Sequence, residues 1–278
     1  MFGGIELGGT KCTLAVGESP NNIISKKIIS TSDPENTFSE IYSFFGNFPL
    51  KKLGVGSFGP VVLNPDSQKF GTIVAESKDG WKGVNVVNYL TKICSDVSID
   101  TDVNVAAIGE YTYGLEDKCQ TLVYVTVGTG IGVGVLLDGM PYKGNFHLEA
   151  GHMRIPNTHN YSGVCNLHGD CWEGLASGPS MKARWGVDPV DLPKNHEAWA
   201  IEAKLLSLGL INIISTYSPE KIIVGGGVLS QEHLLSMIRS NIAILWNNFT
   251  PLGDLSDLIT KPVLGKDSGI IGALSLVC

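Results

Sequence analysis

The chain has 278 residues, 43% hydrophobic and 17% charged, with a formal net charge of −7. That length supports one large globular unit or two domains in contact, and the negative balance repels phosphate backbones, which argues against a nucleic-acid partner. No basic segment followed by an apolar run opens the chain, four glycines break the longest apolar stretch (Thr121 to Leu137), and six scattered cysteines are too few for a disulfide scaffold. The expectation is therefore a cytoplasmic protein with reduced thiols and no membrane segment.

Residues 3–18 read as an apolar strand, a Gly-Gly turn and a second strand, with Ile23–Ser30 as a third. An amphipathic helix is predicted at about 37–47, then a strand running into a glycine turn at 52–60. After the strand Ser98–Thr101 comes a helix near Ala106–Tyr113, where the joint between two halves falls. The pattern then repeats: TLVYVTV-GTGIG-VGVLLDG at 121–139, a short strand near Pro141–Lys143, a helix at about 195–217 and KIIVGGGVL at 221–229. An insertion at 144–195, rich in His, Cys, Gly and Pro, separates the equivalent elements, and 269–277 read as an apolar helix that packs back on the first half. Internal duplication is the simplest account, giving two α/β domains facing one another across a cleft. The N-terminal domain is expected to be 1–106 completed by about 266–278, and the C-terminal domain 107–265 with the insertion.

The glycine turns Gly8-Gly9-Thr10-Lys11 and Gly128-Thr129-Gly130 each join two strands. Glycines let backbone N–H groups approach a phosphate, and Lys11 adds positive charge, although ordinary hairpin turns need glycine as well. Neither turn is a Walker A loop. Gly225-Gly226-Gly227 ends a strand and opens a helix, which suits either a nucleotide or a tight turn. Asp102 closes a strand just before a helix, placed either to accept a proton from an attacking hydroxyl or to cap that helix. Glu149, His152 and Glu173 are the kinds of group that hold sugar hydroxyls, and alone they mean little. The cluster is more specific: Cys165-x2-His168-x2-Cys171 with His152 thirteen residues earlier forms a Cys2His2 set suited to tetrahedral Zn2+. A Cys165–Cys171 disulfide or two unconnected thiols are the alternatives, and both leave the histidines without a role.

Taken together, ExGGTK at 6–11, TDVNVAAIGE at 101–110, VGTGIG at 127–132, ExGH at 149–152, the cysteine segment and GGGV at 225–228 resemble the ROK family of sugar kinases and related repressors. GSFGPV at 56–61, SKDGWKG at 77–83 and ASGPSMKARWG at 176–186 are similar to its bacterial-type fructokinase branch. The resemblance implies a duplicated ribonuclease H-like fold of the actin and hexokinase type. It implies Asp102 as catalytic base, and ATP phosphates held by Gly8, Gly9, Thr10, Lys11, Gly128, Thr129 and Gly130. Gly225, Gly226 and Pro219 fall on the adenosine side. Glu149, His152 and Glu173 would bind sugar hydroxyls, with His152 also a ligand of a structural zinc beside Cys165, His168 and Cys171.

The implied reaction is transfer of the γ-phosphoryl of Mg·ATP to the 6-hydroxyl of D-fructose by a homodimer, with domain closure excluding water. A kinase for mannose, glucose or N-acetylmannosamine is the alternative, followed by a non-catalytic sugar-sensing protein or repressor. Three positions depart from common family patterns. Thr101 stands where many glucokinases carry Asn, Glu6 where many members carry Asp, and the C-x2-H-x2-C spacing replaces C-x-C-x4-C.

Overall fold

A computed structural model describes all residues, 1–278. The chain opens with the strands β1 (Phe2–Leu7), β2 (Lys11–Ser19) and β3 (Asn22–Ser30), followed by helix α1 (Pro34–Phe45) and β4 (Lys52–Ser57). Asp33 caps α1 by accepting from the Asn36 N–H at 3.0 Å, and Pro34 opens it. These two residues start the helix earlier than its apolar periodicity alone suggests. Its buried side chains Phe38, Ile41 and Phe45 recur at helical spacing and form one face. A short α2 (Val86–Leu90) leads to β5 (Val97–Thr101), α3 (Asp102–Gly109) and a π-helical turn at Glu110–Gly114.

Next come β6 (Thr121–Val127), β7 (Ile131–Leu137) and the two-residue β8 (Met140–Pro141). The broken apolar run of the sequence is thus the hairpin β6–β7, paired from Thr121↔Leu137 to Val127↔Ile131. Short helices α4 (Trp172–Ala176) and α5 (Gly178–Trp185) precede the long α6 (Ala198–Tyr217). Then follow β9 (Lys221–Gly225), α7 (Glu232–Trp246), α8 (Leu255–Leu258), β10 (Ile259–Thr260) and α9 (Ser268–Ser275). The apolar length of α6 reflects burial, since it packs against α7 and α4.

Two compact units result. One comprises Met1–Lys118, Gly139–Leu148 and Val263–Cys278, and the other Cys119–Asp138 and Glu149–Pro262. In the first the strand order is β3-β2-β1-β4-β5, with β1 antiparallel to β2 and parallel to β4. Its core joins Ile5, Leu7, Leu14, Leu53 and Val55 of the sheet to Phe38, Ile41 and Phe45 of α1, each large side chain contributing about 1.5–3 kcal/mol by burial. In the second unit the order β10-β9-β6-β7 repeats the pattern, with β6 antiparallel to β7 and parallel to β9. The final helix α9 lies on α3, β1 and β4. At that crossing a side chain on Gly272 would collide with the Val105 carbonyl, and one on Gly109 with the Ser268 carbonyl.

Candidate active site and metal centre

In the first unit, β1, β4 and β5 run parallel and in register, Leu7 opposite Ser57 and Ser57 opposite Thr101. Their carboxyl ends therefore lie side by side, the usual place for a ligand on such a sheet. From β1 the chain enters the turn Gly8-Gly9-Thr10, closed by the Gly8 N–H donating to the Lys11 carbonyl at 3.0 Å. The space beside Gly9 is open, which suits the approach of a phosphate. From β5 the chain enters α3, and the helix cap is Thr101, whose Oγ1 accepts from the Asn104 N–H at 3.1 Å. That result removes the capping role weighed for Asp102. Asp102 is the first helical residue, and its Oδ1 accepts from the Val103 N–H at 2.8 Å.

Burial pushes the Asp102 carboxyl up to about 7, and the Glu6 carboxylate adds to the rise, while the Val103 N–H opposes it. Glu6 is itself raised by burial and held back chiefly by Lys11. A carboxylate poised near neutrality is matched to taking a proton from a hydroxyl.

The second unit gathers its own set around Ile131, the first residue of β7. The Ile131 N–H donates to Glu173 Oε2 at 3.0 Å. A side chain on Gly151 would strike the Ile131 carbonyl, so the turn Ala150–His152 sits directly on that strand end. A Cβ on Gly130 would come within 2.5 Å of Glu173 Oε2, so the second glycine turn lies directly against Glu173. Glu149 Oε2 lies 3.9 Å from His152 Nε2, and Glu173 Oε1 lies 4.0 Å from His152 Nδ1. Gly226, at φ 93°, packs against Val127 at the end of β6.

One detail differs from the sequence reading. The Gly225–Gly227 run does not open an α-helix, because the conformation of Gly226 turns the chain into a 3-10 turn, Gly227–Ser230, before α7 begins at Glu232. Pro219 precedes β9 while Gly225 ends it, and Pro219 lines a small cavity with Ser218, Trp246 and Thr250.

His152, Cys165, His168 and Cys171 converge, with all ligand atoms within 4.8 Å of one another. Cys165 Sγ is 3.7 Å from both His152 Nδ1 and His168 Nδ1, and Cys171 Sγ is 3.5 Å from His152 Nδ1. Bonds of about 2.3 Å to sulfur and ~2.05 Å to nitrogen at a tetrahedral angle put the donor atoms about 3.6 Å apart, so the cluster fits zinc. All six cysteines are free thiols, and the disulfide alternative is not formed. Cys171 also caps α4, accepting from the Gly174 N–H at 3.4 Å, while burial pushes its thiol up to about 11.

The sequence signature of the ROK family matches residues 2–278. The chain belongs to the ROK family. A relative from Bacillus subtilis described as a putative fructokinase is 40% identical, covering 99% of this chain and 95% of its own. A fructokinase from Pediococcus pentosaceus is 34% identical over 99% of this chain and 97% of its own. Among solved structures, a ROK family glucokinase from Streptomyces griseus, in complex with glucose and AMPPNP, superposes with a TM-score of 0.78 at 23% identity. It covers 99% of this chain and 98% of the glucokinase, and it shows that the fold is that of ROK sugar kinases. Sequence reasoning missed His147, whose Nε2 accepts from the Val61 N–H at 3.0 Å. No spacing rule links residues 86 positions apart.

Proposed function

We propose that the protein is an ATP-dependent fructokinase, transferring the γ-phosphoryl of Mg·ATP to the 6-hydroxyl of D-fructose. The observation that carries this reading is Asp102, a carboxylate at the end of a parallel strand, spared from capping and poised near neutrality. The near full-length likeness to fructokinases favours fructose among the hexoses.

In this reading Asp102 takes the hydroxyl proton as the oxygen attacks. Backbone N–H groups of Gly8–Thr10 and Gly128–Gly130, with Lys11, hold the ATP phosphates, and Gly225–Gly226 border the adenosine side. Glu149, His152 and Glu173 orient the sugar through its hydroxyls. Bound magnesium would neutralise phosphate charge, with Glu6 near enough to Lys11 and Asp102 to help place it. Zinc at His152, Cys165, His168 and Cys171 would be structural, its closed ligand set leaving no position for water. The metal-facing Nδ1 of His152 leaves Nε2–H to donate to the sugar. A homodimer in a reducing cytoplasm completes the proposal.

A coupled assay of ADP release over fructose, mannose, glucose and N-acetylmannosamine tests it, with metal analysis on the same sample. The expected result is the highest kcat/KM with fructose and about one zinc per chain. Preference for another hexose would move the assignment within the family. No sugar-stimulated ADP release would defeat it.

A further inference from the structure

The loop after β4 leaves the sheet between two functional neighbours. Ser57 pairs with Leu7 on one side, where the first glycine turn begins, and with Thr101 on the other, next to Asp102. The Phe58 N–H donates to the Leu7 carbonyl at 2.7 Å, so the loop Phe58–Val61 starts alongside the phosphate turn. The loop therefore leaves the same edge of the sheet, at the carboxyl ends of its strands, from which Asp102 begins α3.

The clamp on that loop is His147. Its Nε2 accepts from the Val61 N–H at 3.0 Å, and its Nδ1 lies 3.3 Å from the Leu148 carbonyl. A backbone N–H can only donate and a carbonyl can only accept, so the ring must be neutral with its proton on Nδ1. The imidazole also walls the turn: a Cβ on Gly59 would approach its Cε1 to 3.1 Å. Burial lowers the His147 pKa, keeping the acceptor nitrogen bare, although the Leu148 carbonyl and the Asp100 carboxylate pull the other way.

We propose that His147 is a positioning residue that fixes the loop Phe58–Val61 in its sugar-binding shape through the Val61 N–H. The inference rests on the fructokinase reading for the identity of the sugar, but its hydrogen-bond geometry does not.

The test uses His147→Gln, His147→Asn and His147→Ala in the full chain. The Gln carboxamide oxygen can reach the position of Nε2, whereas that of Asn reaches only the position of Nδ1. Losing the buried acceptor should raise the KM for fructose roughly ten-fold in H147A and H147N, with kcat and the KM for ATP within about two-fold of the parent. H147Q should restore most of the sugar KM. A residue that only supports the fold would lower the active fraction without this split and without selective rescue by Gln. Should H147A fail to fold, H147Q against H147N carries the comparison. Independently, long-range 1H–15N correlation of the imidazoles should give one neutral ring with a bare Nε2 that disappears in H147Q. An unchanged fructose KM in H147A, equal behaviour of H147Q and H147N, or a protonated Nε2 at neutral pH would each overturn the proposal. A parent enzyme inert toward every hexose would sink the kinase reading, and the tautomer would still decide the clamp.

Discussion

If Asp102 is the proposed base, the needs of catalysis and of stability oppose one another there. Its carboxyl is raised from 3.8 to about 7, so the folded chain binds that proton more tightly than the unfolded chain. Stability is unaffected below 3.8 and falls as pH rises from there to about 7. Asp102→Asn keeps the shape without the charge. It should raise Tm by several degrees at about pH 8 and hardly at all near pH 4. The same variant should lose at least about a hundred-fold in kcat while binding fructose within a few-fold of the parent. Near wild-type turnover would end the assignment.

The same carboxylate predicts the pH profile. It must be ionised to accept a proton, so kcat/KM for the sugar should climb with pH and level off above an apparent pKa near 7. Glu6→Gln removes a neighbouring negative charge that disfavours ionisation of Asp102, so the acid limb should shift to lower pH. A limb that stays in place in E6Q would show that burial alone sets the value.

Among the elements, the cysteine segment shows how a short loop acquires a fixed shape. Cys165 and Gly169 exchange two backbone hydrogen bonds, at 3.2 and 2.8 Å, and Gly169 adopts φ 62° to close the knuckle. Trp172 then anchors it: fully buried, it donates from Nε1 to the Leu205 carbonyl at 3.1 Å and leaves no room for a side chain on Gly209. Because His152 belongs both to the cluster and to the Glu-x-x-His turn, loss of the proposed zinc should loosen the proposed sugar contacts before the proposed phosphate turns. Chelation or Cys165→Ser should lower Tm and raise the KM for fructose several-fold, with the KM for ATP little changed. Full sugar affinity in a verified metal-free protein would break the link.

The α3–α9 crossing is a second element held by a local feature. Gly109 and Gly272 let the two helix backbones meet, so Gly272→Val must separate α9 from α3 or strain both. It should destabilise the fold by about 1–3 kcal/mol, read by denaturant unfolding, and by more if the helix cannot shift. A neutral result would mean that α9 tolerates displacement.

Over the whole molecule, the duplication was legible in the sequence because each half states its hairpin, helix and parallel strand in hydrophobic periodicity and glycine turns. Periodicity is a local signal, and so are the cysteine and histidine spacings within 152–171. Both therefore survive in the bare sequence. The glycines of Gly225–Gly227 misled for the same reason. A strand followed by glycines looks like the entrance to a helix until the packing of Gly226 on Val127 turns the chain away.

Chain order and residue chemistry by themselves determined the two-fold α/β plan, the family resemblance, the Cys and His cluster that could hold a metal, and the position of Asp102 at a strand end. Only the tertiary structure decided what those residues experience. It gave the cap to Thr101, set Glu6 close enough to raise Asp102, tied Glu173 to Ile131, set Pro219 in the lining of a small cavity and brought His147 to Val61. Burial, electrostatic neighbours and hydrogen bonds between distant residues depend on how strands are ordered in a sheet. Spacing along the chain does not carry that order.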